Sequence, residues 1–192
     1  GAAALLTHDG EIESLFGFDR VPGPTLPLVC LPTTSGTGSE VSHSAVFKNP
    51  QTGMKTSIQS QYLRPLAAIV DPQLTISCPA RVSAESGMDA LTHAIEAYLV
   101  ANFYCFAEDL EHGLAYEGNH PLGDLYAEKA IELIGKNLQK VVEEPDHLGA
   151  RSGMALAATL AGTAFSSCGV CLAHALEYPI GAKYGSSHGV GN

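Results

Sequence analysis

The chain is poor in charge, and poorest in positive charge. Charged residues make up 16% of its 192 positions, against about a quarter in an average soluble domain. Acidic residues outnumber basic ones by 20 to 10, for a formal charge of −10. Neutralising a phosphate backbone needs clustered Lys and Arg, so nucleic acid is excluded as a partner class. No apolar run reaches the ~20 residues of a membrane-spanning helix, and no signal-peptide pattern opens the chain; no membrane partner is expected. The five cysteines (Cys30, Cys78, Cys105, Cys168 and Cys171) are odd in number and scattered in apolar contexts. That fits a reducing compartment rather than a disulfide scaffold, so a cytoplasmic location is expected. Repeats and low-complexity tracts are also missing. Gly and Ala are abundant instead, which favours closely packed helices.

Residues 1–6 read as the end of a helix without its beginning, so the chain is expected to be an internal fragment of something longer. Residues 7–25 are polar and turn-rich and read as a surface connection. Residues 26–32 form a short apolar run bracketed by prolines, which suits a buried strand of a parallel sheet. It runs into Thr33-Thr34-Ser35-Gly36-Thr37-Gly38-Ser39-Glu40, with hydroxyls at five of eight positions. Glycine lets backbone approach a ligand, and hydroxyls with free N–H groups can hold phosphate or ribose oxygens. The loop is neither a Walker loop nor a Rossmann glycine fingerprint, and read alone it is equally a plain turn. Residues 45–47 and 55–58 flank a turn and predict a β-hairpin. Lys55 at its edge is a solvated strand end or a nucleotide contact. Residues 66–70 read as a second buried strand, ended by Asp71-Pro72.

From about Pro79 the strand signals stop and helical patterns begin, so a domain boundary falls near residues 77–79. Residues 81–100 read as one or two helices. On them Asp89 and His93 stand four apart, stacked on one face. Residues 122–142 are amphipathic at i, i+3/i+4 spacing. The next helix, expected to be capped by Asp146 and to run to about Ser167, is almost wholly small or apolar and reads as buried on all sides. Residues 168–178 carry His174. Pro179-Ile180-Gly181 is expected to loosen the chain, and His188 to follow in a Gly/Ser loop. Cys168 and Cys171 form a lone CxxC that reads as packing. Asp89 and His93 with His174 and His188 would offer one hard oxygen and three imidazole nitrogens, a set suited to Fe2+ or Zn2+.

Four motifs in this order, the Pro32–Glu40 loop, Gly87-x-Asp89-x-x-x-His93-Ala94-x-Glu96, His174 and His188-Gly189, resemble the iron-containing (group III) alcohol dehydrogenases. The likeness covers essentially the whole chain. It implies an α/β remnant of a dinucleotide-binding domain over residues 1–78, then an all-α metal-binding domain over 79–192. It also implies that Asp89, His93, His174 and His188 bind the metal and form the catalytic centre. Thr33, Thr34, Ser35, Thr37, Ser39 and Lys55 would lie along NAD or NADP. The implied reaction is hydride transfer between an alcohol and an aldehyde or ketone, in a protein that is a homo-oligomer at full length. The three histidines must be neutral to bind metal, so activity should fall below the imidazole range of pH. Where many members have a further histidine, this sequence has Tyr178. The polar segment 103–121 resembles an insertion of the hydroxyacid–oxoacid transhydrogenase branch, which offers a hydroxy acid as the alternative substrate. An idle fragment, or a lyase of the dehydroquinate synthase type, stays open beside these readings.

Overall fold

The computed structural model describes residues 1–49, 53–102 and 116–192. Cys105, and most of the polar segment 103–121, lie outside the described residues. The first half is a strand layer and the second a helix layer, with the change at Pro79, which caps the first long helix.

Helix α1 (Ala2–Thr7) opens the chain. The expected surface connection after it holds more structure than its polarity suggests. Within it a 3-10 turn (Ile12–Leu15) buries Leu15, and β1 (Gly17–Phe18) pairs in parallel with β4. The hairpin forms as the pattern predicts: β3 (Ser44–Lys48) and β4 (Lys55–Gln59) pair antiparallel, with Ala45 opposite Ile58. Ile58 is fully buried against Ala4, Leu15, Val21 and Leu63, a small core of its own.

The two strands expected to be buried are not. β2 (Val29–Cys30) and β5 (Ala67–Ala68) pair only with each other, in parallel. Val29 is 47% exposed, Leu31 52%, Leu66 74% and Ile69 52%. An apolar run marks what a strand would bury, but burial in a parallel sheet needs layers on both faces. The described residues supply no such cover. Asp71 does end this ladder, and its side chain accepts a hydrogen bond from the Gln73 N–H.

The helix layer follows the sequence pattern closely. α2 (Ala80–Leu99) is one continuous helix, and α3 (Pro121–Glu143) and α4 (Leu148–Cys168) pack on it and on each other. Ala94, Ala97, Ala127, Ala130, Ala161 and Ala164 meet with no exposed surface. Such small contact residues let helix axes approach closely. Three expectations need correction. His147, not Asp146, caps α4, its Nδ1 accepting from the Ala150 N–H. α4 is not buried all round, because Leu156 is half exposed. Pro179 does not loosen the chain: α5 (Leu172–Tyr184) runs through it, since proline forfeits one helical hydrogen bond without forbidding the turn.

Two breaks aim the site. Gly169, at φ +101°, ends α4 in a conformation glycine tolerates. The chain then bends by 101° into α5, which brings His174 back towards α2. Gly185, also left-handed, ends α5. His188 then opens the short helix α6 (His188–Gly191) rather than lying in an open loop. No single helix among the described residues is long and apolar enough to cross a membrane.

Candidate metal centre

The inner face of α2 carries Asp89, His93 and Glu96, which stay near one line at spacings of four and three. All three are at least 95% buried. Burying such groups is costly unless each is partnered, so their partners define the site. Asp89 Oδ1 lies 3.7 Å from His174 Nε2 and 3.4 Å from His188 Nε2. One ligand atom from each of these three residues lies within 4.8 Å of the others. His93 stands beside them, with Nδ1 3.8 Å from Asp89 Oδ2. Its ring is stacked between Phe165 and His174, at centroid distances of 4.2 and 4.5 Å. Its Nδ1 is buried without a hydrogen-bond partner. Burial drives the His93 pKa down to about 4, so the ring is neutral at neutral pH.

A carboxylate behind His174 sets its tautomer. His174 Nδ1–H donates to Glu96 Oε2 at 2.7 Å, leaving Nε2 as the lone-pair nitrogen that faces Asp89. Burial pushes the Glu96 carboxyl up. Hydrogen bonds from the Cys171 backbone, from His174 and from the Ala173 N–H outweigh that and hold it below the usual carboxylate range. His188 Nδ1 lies 2.8 Å from Glu177 Oε2 and equally close to the Lys55 ammonium, a group that can only donate. Carboxylate–histidine pairs of this kind orient imidazoles for a metal and raise their basicity.

A test of fit comes from Asn192. Its amide nitrogen stands 2.7 Å from Asp89 Oδ1, 3.3 Å from His174 Nε2 and 3.4 Å from His188 Nε2. Two N–H bonds cannot satisfy three acceptors, and the amide oxygen has no partner. The point where one carboxylate oxygen and two imidazole nitrogens converge suits a cation. The donor set suits Fe2+ or Zn2+.

This cluster opens into a cavity of about 380 Å³. Thr37 and Ser39 of the hydroxyl-rich loop line it beside Asp89 and His93, while Thr33, Thr34 and Ser35 are not among its lining residues. The loop's glycines serve packing as well. Gly38, at φ +59°, is so close to α4 that a Cβ there would lie 2.4 Å from the Gly162 Cα. Glu40 is buried and accepts a hydrogen bond from Thr159 on the same helix. Lys55 is neither a solvated strand end nor free. Its ammonium reaches both oxygens of Glu177, at 2.7 and 2.8 Å, and passes 5.4 Å from the Tyr178 ring.

The reading by motif assigned no role to Glu177, Asn192 or Tyr116, and none to Glu96 beyond its place in a motif. Glu96 and Glu177 each had a signal: a carboxylate three residues after a candidate histidine ligand lies on the same helical face. Tyr116 had one as well, standing among the aromatics of a segment readable as an active-site wall or an inserted loop, whereas Asn192 had none, because only the fold brings it to the cluster.

The sequence of residues 83–192 matches the model of the Fe-containing alcohol dehydrogenase family, C-terminal part, and residues 1–72 match that of iron-containing alcohol dehydrogenase. The chain belongs to the iron-containing alcohol dehydrogenase family. Long-chain-alcohol dehydrogenase 1 of Geobacillus thermodenitrificans is 41% identical over the whole chain, which covers 45% of that protein. Hydroxyacid-oxoacid transhydrogenase, mitochondrial, of Bos taurus is 39% identical over 82% of the chain and 34% of its own length. The crystal structure of sulfoacetaldehyde reductase from Bifidobacterium kashiwanohense in complex with NAD+ superposes with a TM-score of 0.82. It is 34% identical, over 99% of this chain and 46% of that one. The chain thus spans between a third and a half of the length of these iron-type relatives. The α/β-then-helical architecture is that of the family.

Proposed function

We propose that this chain supplies the metal-binding core, and part of the cofactor site, of an NAD(P)-linked oxidoreductase that interconverts an alcohol and an aldehyde or ketone. The observation that carries this reading is the convergence of Asp89, His174 and His188, with His174 held by the buried Glu96 carboxylate. A bound Fe2+ or Zn2+ would act there as a Lewis acid towards the substrate oxygen, and NAD or NADP would carry the hydride.

The chain's own residues have the following parts. Asp89, His93, His174 and His188 hold the metal. Glu96 keeps the His174 imidazole in the ligating tautomer. Thr37 and Ser39 face the cofactor from their side of the cavity, with Thr33, Thr34 and Ser35 further along the same loop. Phe165 and Val170 form the apolar wall that excludes water. Burial raises the Tyr178 pKa above its ordinary value, with nearby negative charge adding to the effect. The phenol therefore stays protonated at neutral pH and can donate to a substrate oxygen. The division at residues 78/79 is proposed as the seam between cofactor and metal halves. Four described cysteines are free thiols, which supports a reducing, cytoplasmic setting. A second reading, transfer of hydride between a hydroxy acid and an oxo acid, is supported by the similarity to the transhydrogenase.

The test is elemental analysis of protein purified without air, beside His174→Ala. Iron or zinc near one equivalent per chain, lost in the variant with the melting curve preserved, supports the reading. Metal bound equally by both proteins would sink the assigned ligand set.

A further inference from the structure

Glu177 is the most deeply buried carboxylate among the described residues, with no exposed surface. Its surroundings are cut to its shape. A Cβ on Gly181 would lie 2.5 Å from Oε1, and one on Gly191 would lie 2.5 Å from Cγ. Two glycines, on α5 and α6, therefore make the room this side chain occupies. Both carboxylate oxygens accept from the Lys55 ammonium at 2.7 and 2.8 Å, and His188 Nδ1 lies 2.8 Å from Oε2. Lys55 Nζ is also 2.8 Å from that Nδ1. The ammonium, which can only donate, is shared between the carboxylate and the imidazole nitrogen.

Lys55 is also the one lysine or arginine among the residues lining the cavity. Binding a carboxylate-bearing substrate in a partly desolvated cavity calls for a free cation to pair with it. Here that cation is already bound on both sides of a buried carboxylate. Apart from Asp89 and the three histidines, the rest of the wall is hydroxyl, amide, aromatic and aliphatic, which suits an uncharged substrate.

We propose that Glu177 determines the substrate class of this site: by holding Lys55 in an ion pair, it selects uncharged alcohols and aldehydes over hydroxy acids. The inference rests on the oxidoreductase reading above and decides between its two forms. Glu177 acts through Lys55 and is a specificity-determining residue, not a catalytic one.

The test uses metal-loaded protein and two probes of the same shape, 4-hydroxybutyrate and its neutral amide, 4-hydroxybutyramide. Binding is measured by calorimetry and turnover with NAD(P)+. Wild type is expected to favour the amide. Glu177→Gln keeps the side-chain volume and frees the charge of Lys55. It should shift the acid-to-amide ratio by about tenfold or more towards the acid, the effect of one charge-assisted hydrogen bond. Adding Lys55→Gln should erase the shift, and Glu177→Asp should retain the wild-type preference. A Glu177→Gln protein that keeps its metal but not the shift overturns the proposal. So does a wild type that already prefers the acid, a result that does not depend on any variant folding. Wild type that turns over alcohols but discriminates by charge in neither direction defeats the proposal alone. Metal-loaded wild type inert towards both probes and simple alcohols defeats the oxidoreductase reading, and the proposal with it.

Discussion

The helix layer and the β2–β5 ladder treat their side chains in opposite ways. In the helices several charged groups are buried and paired: Glu96 with His174, Glu177 with Lys55 and His188. Arg151, 2% exposed, bonds to Ser83 and to the carbonyls of Cys78 and Pro145. In the ladder even the aliphatic groups are exposed, as Leu66 and Ile69 are. The difference lies in what each needs from elsewhere. The helices bury their faces on one another within this stretch of chain, so a dry site can be built among them. The ladder's apolar pattern is equally strong, yet the described residues give it no second layer.

Four measurements would break or sharpen that contrast. The largest effect should come from the carboxylate behind a ligand. Glu96→Gln cannot hold the His174 tautomer as an anion does, and metal affinity should fall by about 10–100-fold, read by competition with a chelator. Affinity within twofold of wild type would mean that this buried pair serves folding alone.

The next concerns His93 in the metal-free protein. Its pKa falls from 6.5 to about 4 on folding, so the unfolded state binds the proton more readily. Stability should then be full above about pH 6.5 and decline as pH drops towards 4. The decline should total about 3 kcal/mol. Urea midpoints between pH 7 and 4 should show that slope in wild type and lose most of it in His93→Phe. An unchanged slope would place the acid sensitivity elsewhere.

A smaller loss is expected where the loop meets the helix layer. Gly162→Ala would set a Cβ 2.7 Å from the Gly38 Cα. Backbone on both sides leaves little to give, so the cost should be about 1–3 kcal/mol, measured by chemical denaturation. A neutral result would mean that the loop is free to lift away from α4.

The smallest effect belongs to the ladder. Leu66→Ser, at a position 74% exposed, should change stability by less than about 0.5 kcal/mol. A loss above 1 kcal/mol would show that this face is covered in solution, and the contrast between the two layers would disappear.

Legibility in the sequence followed the range of the interactions. The helices were readable because their period is local: the spacing of Ala130, Ile134 and Val141 already describes the buried face of α3. The pairing of Asp89 with His93 on one face was readable for the same reason. β1 was not, because a two-residue strand carries too little pattern and owes its place to the partner Ile58. The exposure of β2 and β5 was not readable either, since an apolar run says what would be buried and not whether anything arrives to bury it.

By itself the sequence determined the hairpin, the helix register, the four candidate ligands and the family. Each of these depends on residues close together in the chain or on motif order. Only the tertiary structure decided that Lys55 turns to Glu177, that Asn192 stands among Asp89, His174 and His188, and that Gly38 seats the loop on α4. Those contacts join residues separated by as many as 124 positions, as for Gly38 and Gly162 (162 − 38 = 124). No local period encodes such pairs. The pairs made by Glu177 and Asn192 exist because the bend after Gly169 folds α5 and α6 back onto the face of α2.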